Sequence, residues 1–204
     1  MTEMLILVDQ DDNPTGTDEK VRCHQNEGIL HRAFTVLLFD RAGNLLLTRR
    51  APSKMLWPNV WDGSVASHPR HGETYVTSAE RRIPEELGVR CTLDYVFKFE
   101  YHVSDQNRGS ENEICGTLIG TVDPPQIKPE ADEISDIRFV APSDIHASDY
   151  KSYCPWMLLA LAILPRYEVS ERHNISGWAD NRTATKFLKM VKMQMSDHCW
   201  RIVP

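Results

Sequence analysis

A surplus of positive charge is what this chain most plainly lacks: 23 lysines and arginines face 29 aspartates and glutamates, for a formal charge of −6. Nucleic-acid backbones call for basic stripes, so a general nucleic-acid binder is excluded. No run approaches the ~20 apolar residues of a membrane span. The N-terminus, Met1-Thr2-Glu3-Met4, carries no positive region, and its apolar run covers only Leu5 to Val8, so it does not read as a secretory signal. The five cysteines, Cys23, Cys91, Cys115, Cys154 and Cys199, are odd in number and form no Cys-x-x-Cys pair. That pattern argues against a disulfide framework and for a reduced, cytoplasmic protein. Asn174-Ile175-Ser176, formally a glycosylation sequon, is then a chance match. Internal repeats and low-complexity segments are absent as well.

What remains is ordinary globular material, 41% hydrophobic and 25% charged, long enough at 204 residues for one sizeable core and a single domain over 1–204. Leu5 to Val8 reads as a short strand running into a turn from Asp9 to Gly16, and Lys20 to Gly28 as polar and irregular. Ala33 to Phe39 is the first long strand; Asp40-Arg41-Ala42-Gly43 turns it, and Asn44 to Thr48 returns as its partner. A helix spans about Thr74 to Leu87, β stretches cover Cys91 to Val103 and Glu111 to Val122, and Ile137 to Val140 is a brief strand. Trp156 to Leu164 is an apolar helix. In a last helix Ala184, Phe187, Leu188, Val191 and Met195 share one face opposite Lys186, Lys189 and Lys192, the pattern of a docked surface helix. Strands before and after one helix, then more helices, imply an α+β sandwich.

Chemistry-bearing residues crowd the region from Trp57 to Gly88. Gly63-Ser64-Val65-Ala66-Ser67-His68-Pro69 is a short loop with one potential metal ligand. Glu73, followed by Arg81-Arg82-Ile83-Pro84-Glu85-Glu86-Leu87-Gly88, reads as a charged helix that ends at a glycine. Pro84 predicts a kink or bulge in its last turn, because proline removes one hydrogen bond and crowds the carbonyl of Glu80. Elsewhere His24, His31 and His68 sit in or beside loops that meet strands, and Glu111 and Glu113 are spaced to point to one face of a strand. An inward-facing carboxylate pair is costly to bury without a cation. Three imidazoles with two carboxylates suit Mn, Zn, Fe or, less comfortably, Mg. Spacing alone favours the plainer alternative, scattered surface histidines and an exposed acidic pair.

From Ser67 onward the residue order resembles the Nudix box, a helix whose carboxylates hold a divalent cation against a diphosphate. Two positions depart from it: Ser67 stands for the opening glycine, and Arg82 for the glutamate after the arginine. Around it lie Lys20, Cys23-His24, Leu30-His31-Arg32-Ala33-Phe34, Thr48-Arg49-Arg50-Ala51, Lys54, Trp57-Pro58 and Trp61. Ser64-Val65-Ala66-Ser67-His68-Pro69, Glu111-Asn112-Glu113-Ile114-Cys115 and Pro155-Trp156-Met157 follow. Together, and in this order over about residues 5–164, they resemble the type I isopentenyl-diphosphate isomerases of the Nudix superfamily, which also lack the Nudix glutamate at the position of Arg82. The resemblance implies a Nudix-type α/β/α sandwich with a mixed sheet, with residues 165–204 a C-terminal helical extension. It implies that His24, His31, His68, Glu111 and Glu113 bind Mn2+, Zn2+ or Mg2+, and that Glu86 holds Mg2+ together with a diphosphate. Lys20, Arg50 and Lys54 would grip a prenyl diphosphate, Tyr101 and Glu113 would handle one proton, and Trp156 would face the hydrocarbon, in a monomer or homodimer.

Such chemistry makes sense of the residue types. Protonating an unactivated alkene gives a tertiary carbocation, so the site needs a positioned acid and little water. An indole face beside the cationic carbon stabilises it by roughly 2 kcal/mol when dry. Cations on the diphosphate use remote binding energy to place the reacting carbon. One position stands apart: where those isomerases have a cysteine working the substrate face opposite the glutamate, this sequence has Ala66, which neither gives nor takes a proton. The changed loop leaves open isomerisation with Ser67, a water or the diphosphate as base, cyclisation of a longer prenyl chain, and hydrolysis through Glu85-Glu86. Cys115 shares a strand face with Glu111 and Glu113, as a pocket thiol or, more simply, as buried filler.

Overall fold

The computed structural model describes residues 2–169, 173–196 and 199–204. In chain order the elements are β1 (Met4–Val8), β2 (Pro14–Glu19), α1 (Lys20–Cys23), β3 (His31–Phe39), β4 (Leu45–Arg50), β5 (Trp61–Asp62) and β6 (Val65–Ser67). Then come α2 (Tyr75–Leu87), β7 (Leu93–Ser104), β8 (Ser110–Thr121), β9 (Ile134–Val140), α3 (Pro155–Ile163), α4 (Asn181–Lys192) and β10 (Trp200–Val203). The strands form one ten-stranded mixed sheet along a path β10-β7-β8-β3-β1-β2, with β4 and β6 also joined to β3. β3 runs parallel to β8 over its whole length, from His31 opposite Glu113 to Phe39 opposite Thr121.

Strand alternation sorts β3 into two cores. Ala33, Leu37 and Phe39 pack with Phe97, Phe99, Tyr101 and Cys115 under α3 and α4. Phe34, Val36 and Leu38 pack with Leu118 and with Ala79, Ile83 and Leu87 of α2 on the other side. The result is the expected α/β/α sandwich with a mixed sheet. All nine residues of α3 are buried, because the helix lies between the sheet and α4, whose Phe187, Met190 and Val191 face inward.

Several expectations need correction. β4 meets β3 at Phe39–Leu45 alone and then pairs with β9 from Leu45–Val140 to Arg50–Ile134. Its departure leaves an edge of β3 that β6 takes, with Phe34 opposite Ser67, Thr35 opposite Ala66 and Val36 opposite Val65. The supposed long turn after β1 contains β2, the irregular stretch begins with α1, and residues 200–203 form an added edge strand beside β7. α2 continues through Pro84 to Leu87. The donor that proline lacks would have met the carbonyl of Glu80, an exposed residue where water can substitute.

Both ends of α2 are closed by side chain and backbone. Thr74 accepts from the Thr77 amide while Thr77 Oγ1 accepts from the Thr74 amide at 2.9 Å, and Gly88 takes the left-handed conformation (φ 68°) to end the helix. Glu73, just ahead, receives Arg81 at 2.7 and 2.9 Å and the Arg70 amide at 2.8 Å. The Arg81 hydrogen bond, against burial, holds the Glu73 carboxyl down at about 2. Its stabilisation is therefore full above the ordinary value of 4.5 and disappears as pH falls through about 2. Glu73→Gln should cost about 1 kcal/mol in urea unfolding at neutral pH, a modest sum for a partly exposed pair, with the difference from the native protein shrinking toward pH 2.

Candidate active site

Three separate pieces of chain deliver imidazoles to one end of β3. His31 is the first residue of β3, His24 closes α1, and His68 follows β6. Gly109 makes the closeness of α1 and the β7–β8 turn possible: its φ is +144°, and a Cβ there would lie 2.2 Å from the His24 carbonyl oxygen. Ser110 donates to that same oxygen at 3.0 Å. β8 then presents Glu111 and Glu113 two residues apart on the α3 side of the sheet, with Glu113 opposite Tyr101 on β7.

One ligand atom from each of His24, His31, His68, Glu111 and Glu113 falls within 4.8 Å of all the others, and all five residues are buried. Nδ1 of His24 meets the Lys20 carbonyl and Nδ1 of His31 the Ile29 carbonyl, each at 2.7 Å, which fixes Nε2 as the inward atom of both rings. His24 Nε2 lies 3.0 Å from Glu111 Oε2 and His31 Nε2 lies 3.3 Å from Glu113 Oε1. Yet His31 Nε2 and Glu111 Oε2 lack hydrogen-bond alignment and are buried without a partner. Atoms that converge without bonding one another are what a cation would satisfy, so the residues fit a divalent metal.

The electrostatics hold the rings unequally. Burial pushes the His24 proton off, but Glu111, Glu113 and the Lys20 carbonyl outweigh it and raise the ring to about 9. Burial, with Lys20 and the other two imidazoles, holds His68 well below its ordinary range, in the neutral form a ligand requires. Burial opposes the Glu113 charge, yet His31, Tyr101 and His24 bring its carboxyl below the ordinary value. Burial and the carboxylates drive the Tyr101 phenol well up, so it remains a neutral donor, 2.6 Å from Glu113 Oε2.

A cavity of about 290 Å3 opens beside this cluster and is bordered by Lys20, Arg50, Lys54, Ala66, Ser67, Tyr101 and Trp156 as well as by His24, His68, Glu111 and Glu113. Arg50 is held by the carbonyls of Leu56 (2.9 Å) and Trp57 (3.0 Å) and by Asp62 Oδ2 (3.2 Å), with its guanidinium 5.4 Å from the Trp156 ring centre. Lys20 meets Glu3 at 2.9 Å, and Lys54 meets Glu133. Glu86 borders a smaller chamber of about 10 Å3 that it shares with Arg50, Lys54 and Ala66, and it accepts from Arg82 at 2.6 and 3.0 Å. Ser67 borders the main cavity, but its register opposite Phe34 sets its Cβ on the α2 side of the sheet.

Three participants had no role in the sequence reading, although Trp57 lay within the resemblance. Asp62, buried at 2% exposure, accepts from Arg50, from Trp156 Nε1 at 2.8 Å and from the Gly63 amide at 2.7 Å, and so fixes the indole and the guanidinium together. Glu133 ties Lys54 to Arg82, the latter at 3.0 Å. Trp57 meets Trp156 edge-on at 5.2 Å. None had a spacing signal; each matters through partners distant in sequence.

A NUDIX domain profile matches residues 29–157. The fold is shared with a solved Deinococcus radiodurans structure, 23% identical with a TM-score of 0.56, covering 69% of this chain and 85% of that one. Fold and profile place the chain in the NUDIX family. Within it, isopentenyl-diphosphate Delta-isomerase of Haloarcula marismortui is 38% identical over 165 residues, 77% of this chain and 88% of the relative. Isopentenyl-diphosphate Delta-isomerase 2 of Photorhabdus laumondii is 43% identical over 140 residues, 69% and 78% of the two chains. The chain belongs to the type I isopentenyl-diphosphate Delta-isomerase family.

A metal should bind tightly enough to stabilise the fold. Mn2+ or Zn2+ at ~100 times its Kd adds about 2.7 kcal/mol, read as a raised Tm that a chelator reverses. His31→Ala should remove that rise; an unchanged rise would place the metal elsewhere.

Proposed function

We propose that the protein interconverts isopentenyl diphosphate and dimethylallyl diphosphate, a reading supported by its likeness to proteins named isopentenyl-diphosphate Delta-isomerase. The observation that carries this reading is one cavity lined by four of the five clustered residues, the hydrogen-bonded Tyr101 and Glu113, the Trp156 indole and the cations Lys20, Arg50 and Lys54. A divalent cation on His24, His31, His68, Glu111 and Glu113 would offset the carboxylate charge and fix Glu113 in place. Lys20, Arg50 and Lys54 bind the diphosphate, and Glu86 would hold Mg2+ at that end. Tyr101 and Glu113 deliver the proton to the alkene, and Trp156, locked by Asp62, stabilises the tertiary cation.

The alternatives draw less support. Arg82 stands where the Nudix box has a glutamate and pairs with Glu85, which leaves Glu86 alone of the carboxylates a Nudix hydrolase would use. The cavity, about 290 Å3, lies at the small end for ligand sites and favours a five-carbon chain over a longer one to be cyclised. The whole chain is read as one domain, since α4 packs on α3 and β10 extends the sheet beside Tyr101. Five free thiols suit a cytoplasmic setting.

Isopentenyl diphosphate incubated with metal-loaded protein in deuterated water should give deuterium-labelled dimethylallyl diphosphate; unlabelled, unconverted substrate would sink the isomerase reading, and phosphate release would favour hydrolysis. Glu113→Gln should lower kcat by about 10²–10⁴. Trp156→Leu should lower kcat/KM by about 30-fold, the kinetic equivalent of roughly 2 kcal/mol of cation–π stabilisation.

A further inference from the structure

The cavity is protic on one side. Across the sheet it spans the width of β3, with Glu113 and Cys115 of β8 on one flank, Ala66 of β6 on the other, and Ala33 as the floor between. Two inter-strand spacings set those flanks roughly 10 Å apart. Tyr101, from β7, reinforces the β8 flank through its 2.6 Å hydrogen bond to Glu113. The β6 flank offers a methyl group. Ser67 is turned by register toward α2, and His68 aims Nε2 at Glu113 Oε1, 3.1 Å away, within the metal cluster. With Nε2 on the ion, the His68 Nδ1, buried without a hydrogen-bond partner, carries a proton and so takes none from the substrate. Above, the Trp156 N–H is committed to Asp62.

Resting on the isomerase reading, we propose that both proton transfers occur on the alkene face turned toward β8, with Glu113 and Tyr101 giving the proton and Glu113 taking one back. The π pair of the terminal methylene forms the new C4–H bond with a proton that Glu113 carries once substrate is bound, leaving a cation at C3 and the ionised Glu113 carboxylate that the free site favours. The C2–H bond then breaks, its electron pair becomes the C2=C3 double bond, and the proton returns to Glu113. Nothing is consumed. C2 and C4 are both bonded to C3, so one carboxylate reaches both, and a hydrogen beside a tertiary cation is acidic enough to need no stronger base. Ala66 closes the far face.

Stereochemistry tests this directly. Isopentenyl diphosphate tritiated stereospecifically at C4 is converted by metal-loaded protein in deuterated water, and the chirality of the new methyl reports the face that gained deuterium. Substrates deuterated at either C2 position report which hydrogen leaves. Gain and loss on the same face are expected. Opposite faces overturn the one-faced mechanism and leave the isomerase reading standing; no conversion overturns both. Ala66→Cys should move part of the product to the opposite-face relation, and its thiol should be protected from alkylation by dimethylallyl diphosphate in peptide mass mapping. Unprotected thiol, or product unchanged in configuration, means that β6 does not face the alkene and overturns the inference.

Discussion

Two carboxylates and three imidazoles share a space that solvent barely reaches, and the rest of the site follows from how that arrangement is kept tolerable. Ionised carboxylates side by side in a protein interior repel one another and lose hydration. Here Glu113 is compensated by His31 and His68 through one oxygen and by Tyr101 through the other, while among the described residues the ion pair of Glu111 is with His24. The compensation is incomplete, since buried ligand atoms remain without partners. A cation is the species that balances charge and coordination together, and the ring orientations set by the Lys20 and Ile29 carbonyls are already those it would need.

The sheet makes this convergence possible through an irregularity. A regular hairpin between β3 and β4 would have covered the edge of β3 with Leu45 to Thr48. Because β4 leaves after one rung to join β9, the short β6 fills that edge and carries Ala66 and His68 to the same end as His31. On the other edge the parallel β8 sets Glu113 level with His31. Lateral pairing on both sides of one strand therefore does what no local sequence feature could.

The cationic side of the cavity is built on a different rule. Each cation there already has an acidic partner: Lys20 with Glu3, Lys54 with Glu133, Arg50 with Asp62, Arg82 with Glu86. Such pairing keeps like charges apart in a crowded cleft and holds the long side chains in place, while partial exposure of Lys20 and Lys54 leaves them able to exchange a carboxylate for a phosphate. Arg50 is fixed more firmly, by carbonyls as well as by Asp62, and its stacking on Trp156 joins the cationic side of the cavity to the indole.

Much of this was legible in the residue order. The period-two patterns of β3 and β8, the Thr74-to-Gly88 boundaries of α2 and the two-residue spacing of Glu111 and Glu113 are local properties, set by strand alternation and helix-end chemistry. The resemblance named the metal ligands, but spacing alone argued for scattered surface histidines; it carries no information about which loops meet. Asp62, Glu133 and the sheet-forming role of residues 200–203 were invisible because their partners lie far along the chain. Composition and periodicity determined the two layers of helix and the sheet between them; only the folded pairing of β6, β3 and β8 decided that an alanine methyl would face a glutamate across one substrate-sized gap.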